Sequence, residues 1–147
     1  MLLKKILWYI KVYLLVRKLD KKMKIYGFKY VYDNYLSPSQ PLSPVRDLSN
    51  KEIEFVQLIL MIIEKVCFNF FGNARCLHRS VAGYHILLQK NIPIDLVIGV
   101  MKKPFMSHAW LEYNGKVIND IPEMIENLTV QFNTNQFRTI SKGEHAI

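Results

Sequence analysis

The pattern of hydrophobic and polar residues predicts helices in the first two thirds of the chain and short strands after them. The segment IEFVQLILMIIEKVCF (53–68) is apolar on nearly every side, which is typical of a central core helix. The next helix ends before Pro93. It carries an inward stripe at offsets 0, 4, 7 and 11, formed by Leu77, Val81, Tyr84 and Leu88. Helices followed by an antiparallel sheet indicate an α+β fold, with N-terminal helices packed on a small sheet.

The ends of these two helices carry capping signals. The tetrapeptide SNKE at residues 49–52 fits a capping box, in which Ser49 is the N-cap and Glu52 bonds back to it. Gly72 can end the first helix, and Asn73 can cap the second. If Asn73 is the cap, Cys76 lies in the first turn of the second helix.

Short apolar runs after Pro93 predict the strands. DLVIGVM (95–101) is bounded by turn residues and predicts a buried strand. After the loop KKPFM, the stretch SHAWLEYNGKVIND predicts a hairpin around an Asn-Gly turn. PEMIENL then predicts a short helix with Pro122 in its first turn, and TVQFNTN predicts the last strand. The tail from about Ser141 is expected to fray.

The first 48 residues differ in character from the rest. Residues 1–24 have the general pattern of a signal peptide, but Lys11 interrupts the apolar run and no small-residue cleavage site follows. The uncharged runs are also too short to span a bilayer. We therefore predict an amphipathic helix. Its apolar stripe can pack on the domain or can dock on a membrane surface or a partner. The aromatic residues 25–36 indicate an extended segment, and the prolines of residues 37–44 indicate a linker. We therefore divide the chain into a basic, aromatic arm with its linker (1–48) and a core (49–147).

Positive charge is concentrated in the N-terminal third. The chain has a net charge of +8. Residues 1–50 hold 10 Lys and Arg against 3 Asp and Glu, a balance of +7, whereas residues 51–147 hold 10 against 9. This asymmetry favours an acidic partner at the arm. From charge alone, that partner can be an acidic peptide, a membrane surface or a nucleic acid. Of these we expect the peptide and no nucleic acid, and membrane contact through residues 1–24 is the less favoured alternative.

The cysteine count indicates the compartment. Two cysteines, Cys67 and Cys76, form no disulfide framework in a chain of 147 residues, which favours a reducing cytoplasm. Cys67, near the end of the core helix, is expected to be a buried and inert thiol.

The sequence contains no P-loop, no dinucleotide fingerprint and no paired ligand spacing typical of zinc. We therefore expect neither a cofactor nor a metal ion.

Cys76 is the first candidate for chemistry. A helix N-terminus presents free N–H groups and a partial positive charge, both of which favour thiolate over thiol. The amide of Cys76 can also supply one donor to an oxyanion formed at its sulfur. A free cysteine is nevertheless often a small packed hydrophobe, so this helix alone leaves both roles open.

The hairpin supplies a histidine and an aspartate. A two-residue loop, Asn114-Gly115, turns His108 and Asp120 to opposite faces of the sheet. A three-residue loop beginning at Tyr113 places them side by side, and it also pairs Glu112 with Lys116. The first register is the commoner use of Asn-Gly, so the pattern does not settle the choice.

We favour the second register because of what the pair would do. An aspartate beside a histidine fixes its tautomer and stabilises the imidazolium, and the free ring nitrogen can then take a proton from a thiol. Cys76, His108 and Asp120 could thus form a Cys-His-Asp triad. The alternative is a surface hairpin that carries an incidental histidine and aspartate.

The stretch CLHRSVAGYHILLQKNIPIDLVIGVMKKPFMSHAWLEYNGKVIND resembles the transglutaminase-like leader peptidases of lasso-peptide biosynthesis. The resemblance covers about residues 72–121 and rests on the Cys, Arg-Ser, Gly-Val, His-Ala-Trp and Asn-Asp elements in order. It implies a papain/transglutaminase-like core, with Cys76 as nucleophile, His108 as general base and acid, and Asp120 as orienting residue. Arg79 and Ser80 also match, and we expect Arg79 to contact a loop or a carboxylate.

The resemblance also implies substrate and partners. The substrate would be a ribosomal lasso-precursor peptide, cut between leader and core by thiolate attack and acyl-enzyme hydrolysis. A small leader-recognition protein would deliver it, and an ATP-dependent macrocyclase would close the ring afterwards. Two alternatives remain, which are transglutaminase-like acyl transfer to an amine and a non-enzymatic basic module that docks on a membrane or an acidic peptide.

Overall fold

The structure is a computed structural model that describes residues 1–71 and 75–139. Its helices are α1 (Leu2–Tyr26), α2 (Phe28–Val31), a π-helical turn (Tyr32–Leu36), α3 (Asn50–Phe71) and α4 (Cys76–Gln89). Its strands are β1 (Ile94–Lys102), β2 (Phe105–Tyr113), β3 (Lys116–Val117) and β4 (Thr129–Asn133), and short 3₁₀ turns occupy Pro122–Met124 and Thr134–Phe137. The strands form one antiparallel sheet in the order β3-β2-β1-β4, so the fold is α+β.

Helix α4 lies at the centre of the molecule. It contacts β1 and β2 of the sheet as well as α1 and α3. Within it, Val81, Tyr84 and Leu87 are almost completely buried. Gly83 permits the closest approach, because a Cβ atom there would lie 2.7 Å from Leu111 Cδ1 on β2. The helix that carries Cys76 is therefore held from several sides by one hydrophobic core.

Helix α1 shares this core. Val12, Val16 and Leu19 are fully buried against the rest of the molecule, so one face of the predicted N-terminal helix does pack on the domain. The loop that follows the π-helical turn has no regular secondary structure, and its Leu42 pairs with Arg138 in an isolated bridge. The division of the chain into an arm (1–48) and a core (49–147) stays a prediction.

The extended segment predicted for residues 25–36 is wrong, because this segment is helical. Gly27, at φ 71°, ends α1 and starts α2, and its amide donates to Met23 O at 2.8 Å. Val31 and Leu36 are then fully buried in the shared core. Aromatic side chains favour strands on average, but the burial of these two side chains against the helices decides the local structure here.

The predicted capping box at the start of α3 is confirmed. Ser49 N donates to Glu52 Oε2 at 2.9 Å, and Glu52 N donates to Ser49 Oγ at 3.2 Å. Arg46 also binds both carboxylate oxygens of Glu52, at 2.7 and 3.1 Å. These contacts, led by the bond from Arg46, lower the pKa of Glu52 to about 2. The predicted roles of Gly72, Asn73 and the tail from Ser141 fall outside the described residues.

The strand predictions are confirmed except at the loops. β1 contains the run predicted at 95–101, whereas β4 ends at Asn133, two residues before the end of the predicted last strand. Pro122 starts a 3₁₀ turn, as expected for a first-turn proline. The loop between β1 and β2 is shorter than predicted, because Phe105 already pairs with Lys102. Helix α3 is also less uniformly buried than its composition suggests, since Phe68 is 59% exposed.

Candidate active site

Cys76 is the first residue of α4. Arg75 is the N-cap, with an extended backbone, and its carbonyl accepts the first helical hydrogen bond from Arg79 N at 2.9 Å. Cys76 therefore lies in the first turn of the helix. The sulfur accepts hydrogen bonds from the backbone amides of Leu77 and Ala109, so it sits between a helix N-terminus and the edge of β2.

The hairpin register that we favoured is wrong. Asn114 and Gly115 have φ values of 51° and 77°, as a two-residue type I′ turn requires. The facing pairs are Glu112 with Val117 and Tyr113 with Lys116. The commoner Asn-Gly register is therefore the one present, and a straight continuation of β3 would carry Asp120 to the face opposite His108.

Asp120 meets His108 because β3 stops early. The last ladder bond runs from Ile118 N to Leu111 O at 3.0 Å. The side chain of Asn119 then replaces the next backbone acceptor, and its Oδ1 accepts from Leu111 N at 2.7 Å. The chain bends over these residues, which turns the Asp120 carboxylate back towards β2.

Sulfur, imidazole and carboxylate form one hydrogen-bonded line. His108 Nε2 lies 2.6 Å from Asp120 Oδ2, and His108 also hydrogen-bonds to Cys76. Since the carboxylate occupies Nε2, Nδ1 is the ring nitrogen left for the sulfur. The side chains of His108 and Asp120 are only 15% and 10% exposed, so this line is largely shielded from solvent.

The electrostatics favour a thiolate–imidazolium pair. Burial on its own raises the pKa of Cys76, but the hydrogen bonds from His108 and from two backbone amides outweigh it, and the pKa falls below its ordinary value. The hydrogen bond to Cys76 is the main cause that raises the pKa of His108, and the bond to Asp120 adds to it. The proton is therefore displaced from sulfur towards the ring.

Arg79 holds the carboxylate in place. Its Nη2 donates to Asp120 Oδ2 at 2.8 Å, and its Nη1 donates to Glu64 Oε2 at 3.1 Å. Burial tends to raise the pKa of Asp120, but hydrogen bonds from His108 and Ile121 N and the charge of Arg79 keep that pKa below its ordinary value. The expected contact of Arg79 with a carboxylate is thus present, and the carboxylate is Asp120 itself.

Ser80 connects α4 to the hairpin. Its Oγ donates to Ala109 O at 3.0 Å and accepts from Asn119 Nδ2 at 3.2 Å. The two bonds connect α4 to β2 and to the bend that follows β3, so the distance between Cys76 and His108 is fixed from two sides. Ser80 of the Arg-Ser element and Asn119 of the Asn-Asp element are therefore in direct contact.

The indole of Trp110 lies beside the imidazole. Its ring stacks near His108, with centroids 6.2 Å apart and planes inclined by 23°. Gly99, which faces His108 across the ladder, leaves room for the indole, because a Cβ there would lie 2.9 Å from Trp110 Cη2. Trp110 is 2% exposed and shields one side of the ring from water.

Sequence reasoning missed a second histidine–aspartate pair. His78 Nε2 lies 3.1 Å from Asp20 Oδ1, and both residues are buried where α1 crosses α4. Lys24 Nζ lies 2.8 Å from Asp20 Oδ2. The signal available in the sequence was Asp20, a charged residue on the buried side of α1. A buried carboxylate requires a partner, so Asp20 indicated a polar contact in the core. The pair links the N-terminal helix to the first turn of α4, two residues from Cys76.

Selective alkylation tests the electrostatics of the sulfur. At pH 7, iodoacetamide should modify Cys76 and leave Cys67 intact, because burial raises the pKa of Cys67 to about 11. The alkylation rate of Cys76 should remain high below the pH at which an ordinary thiol stops reacting. It should fall only as the pH drops through the lowered pKa of Cys76. Peptide mapping by mass spectrometry over a pH series measures both. A midpoint at Cys76 near the ordinary value of about 8.5 would contradict the arrangement.

A thiol at a helix start, a strand-borne histidine and an oriented carboxylate define the class of papain-like cysteine sites. The model of the transglutaminase-like superfamily matches residues 34–133. The chain belongs to the transglutaminase-like superfamily. It is also 42% identical over 83 residues to the microcin J25-processing protein McjB of Escherichia coli.

That similarity is partial in extent. The aligned segment covers 56% of this chain and 36% of the relative. The chain therefore spans well under half the length of this curated protein. No solved structure matches the chain.

No helix within residues 1–71 and 75–139 is long and apolar enough to cross a membrane. Over the same residues, no group of three or more His, Cys, Asp and Glu side chains is arranged to hold a metal ion.

Proposed function

We propose that this protein is a cysteine peptidase that removes the leader segment from a ribosomal lasso-precursor peptide. The observation that carries the proposal is the hydrogen-bonded line from Cys76 through His108 to Asp120. Support for the substrate class comes from the relative, whose name describes the processing of microcin J25, and from the family elements in the matched segment.

The proposed reaction has two halves. The Cys76 thiolate attacks the carbonyl carbon of the leader–core bond, and the developing oxyanion accepts a hydrogen bond from the Cys76 amide at the start of α4. His108 gives its proton to the departing amine, so the core peptide leaves with a free N-terminus. His108 then takes a proton from water, which attacks the thioester and releases the leader as a carboxylate.

Asp120 acts through His108 in both halves. Its carboxylate holds Nε2 and stabilises the imidazolium, which keeps Nδ1 directed at the sulfur and at the leaving group. Arg79 fixes the carboxylate, and this contact also limits rotation of Asp120 away from the ring. A small leader-recognition protein would deliver the precursor, and an ATP-dependent macrocyclase would act on the released core.

The test is incubation of the protein with candidate precursor peptides, with and without the leader-recognition protein, read by mass spectrometry. We expect two fragments whose summed mass exceeds that of the precursor by one water. Reaction in ¹⁸O-labelled water should place the label on the new carboxyl group of the leader. Uncut precursors in every combination would contradict the proposal.

The superfamily supports one second candidate, in which an amine replaces water as the acyl acceptor. The same thiolate would then attack a glutamine side chain, and ammonia would leave. The product would be a crosslinked species whose mass is lower by one ammonia. The mass change thus distinguishes the two reactions in a single experiment.

A further inference from the structure

Helix α1 has a second apolar face that the fold does not bury. Five aliphatic side chains on the side opposite Val12 and Val16 are 46–69% exposed, and we call them the apolar stripe: Leu3, Ile6, Leu7, Ile10 and Leu14. Their spacing places them along one side of about three helical turns, roughly 16 Å in length. Scattered exposed aliphatic residues are ordinary, but a continuous row of this length marks an interaction surface.

A concave groove lies beside the stripe, between α1 and the start of α3. It encloses about 560 Å³, and its apolar floor includes Leu7, Trp8, Phe55 and Leu58. Trp8 and Phe55 meet edge to face, with ring centroids 5.4 Å apart. Leu7 belongs to both the stripe and the groove, so the two form one continuous apolar surface.

Four lysines line this groove: Lys4, Lys11, Lys51 and Lys90. The ammonium groups of Lys11 and Lys90 lie 4.8 and 5.9 Å from the centre of the Trp8 ring. One carboxylate, Glu52, reaches the groove, but both of its oxygens are bound by Arg46. Across the part of the chain that the structure describes, no carboxylate forms an ion pair with any of the four lysines.

The charge and shape select one kind of occupant. A second copy of the chain docked through the same face would bring the two sets of lysines together, which opposes self-association. A bilayer is flat on this scale and would touch the stripe while leaving the groove unfilled. An amphipathic helix can do both, because its apolar side covers the stripe and fills the groove while acidic residues on its flank reach the lysines.

We propose that the apolar stripe and the lysine groove together bind an acidic, amphipathic helical segment of a partner protein or peptide. The surface is formed by α1, the start of α3 and Lys90 at the far end of α4, and it is distinct from the triad at the start of α4. The proposal does not depend on which reaction the triad catalyses.

The test uses the full chain and a fluorescently labelled synthetic peptide of 18 residues. The peptide carries Leu at positions i, i+3, i+4 and i+7 and Glu on the flanks. We expect saturable binding by anisotropy, a change in Trp8 emission, and weaker binding at an ionic strength of about 0.5 M. A scrambled peptide of the same composition and a version with Lys for Glu should bind at least about tenfold more weakly.

Matched variants locate the surface. Lys4→Glu with Lys11→Glu should weaken binding about tenfold or more, whereas the same charge change at Lys102 and Lys116 should have little effect. Ile10→Gln should weaken binding, and Val130→Gln, at a position of nearly equal exposure, should not. Thermal unfolding by circular dichroism confirms that each variant is folded.

Three outcomes would overturn the proposal. The first is no binding of the patterned acidic peptide, and the second is equal binding of the scrambled peptide. The third is co-sedimentation with phosphatidylglycerol vesicles but not phosphatidylcholine vesicles, lost in Ile10→Gln, while the peptide fails to bind. That result would assign the stripe to an anionic membrane surface instead.

Discussion

Replacing Cys76 by Ala should lower the rate of precursor cleavage by about 10,000-fold or more, because no other group in the triad can form the acyl-enzyme. The fold should survive, since the side chain is small, is only partly buried, and sits at the first position of α4. Single-turnover cleavage followed by mass spectrometry measures the rate, and the circular dichroism spectrum together with the melting temperature tests the fold.

The matched control is the other cysteine. Cys67 is fully buried in the core and takes no part in the triad, so Cys67→Ala should cost some stability through a small cavity while cleavage continues at a similar rate. Normal cleavage by Cys76→Ala would reject the sulfur as nucleophile. Equal loss of cleavage in both variants, with both folded, would show that activity follows core packing rather than the thiol.

Much of the fold was predictable because local signals and burial agree. The capping box at Ser49 and Glu52, the apolar run of β1 and the proline at residue 122 each specify one local conformation, and the structure contains all three. The segment at residues 25–36 was not predictable in the same way. Its aromatic side chains favour extended structure on average, whereas the burial of Val31 and Leu36 against distant helices favours a helical turn.

The candidate site shows how a contact can be anticipated by incorrect reasoning. We predicted that His108 and Asp120 lie together because the strands continue in a three-residue-loop register. The strands adopt the other register, and the two residues meet because the chain bends after Val117. The Asn119 side chain, which takes over a backbone hydrogen bond, makes the bend possible. Strand pairing rules do not specify such a replacement, so the sequence pattern alone could not provide it.

The contacts of Asp20 also lay beyond sequence reasoning. Asp20 and His78 are 58 positions apart, and they meet only because α1 crosses the first turn of α4. The contact of Arg79 was partly predictable, because the Arg-Ser element suggested a carboxylate partner for it. The element did not identify that partner as Asp120. Long-range polar pairs are set by how helices pack, which periodicity within one helix does not determine.

Asp120→Asn should lower kcat/KM for cleavage by about 100-fold or more, through His108 rather than through contact with substrate. In the carboxylate, Oδ2 binds both His108 and Arg79, and Oδ1 accepts from Ile121 N. The amide has only one acceptor oxygen for these three donors, and it carries no charge to stabilise the imidazolium. Because the carboxylate raises the pKa of His108, its loss should lower that pKa. The imidazolium would then lose its proton at lower pH, and the alkaline limb of the pH–rate profile should move to lower pH.

The same substitution should slow alkylation of Cys76 near neutral pH, since a weaker imidazolium stabilises less thiolate. Glu64→Gln is the matched control, because it removes the other partner of Arg79 and leaves Asp120 intact. We expect that variant to keep the wild-type alkaline limb and to lose at most severalfold in rate. A rate loss in Asp120→Asn without movement of the limb would indicate a purely structural role, because only a carboxylate that acts on His108 couples the rate to the proton on its ring.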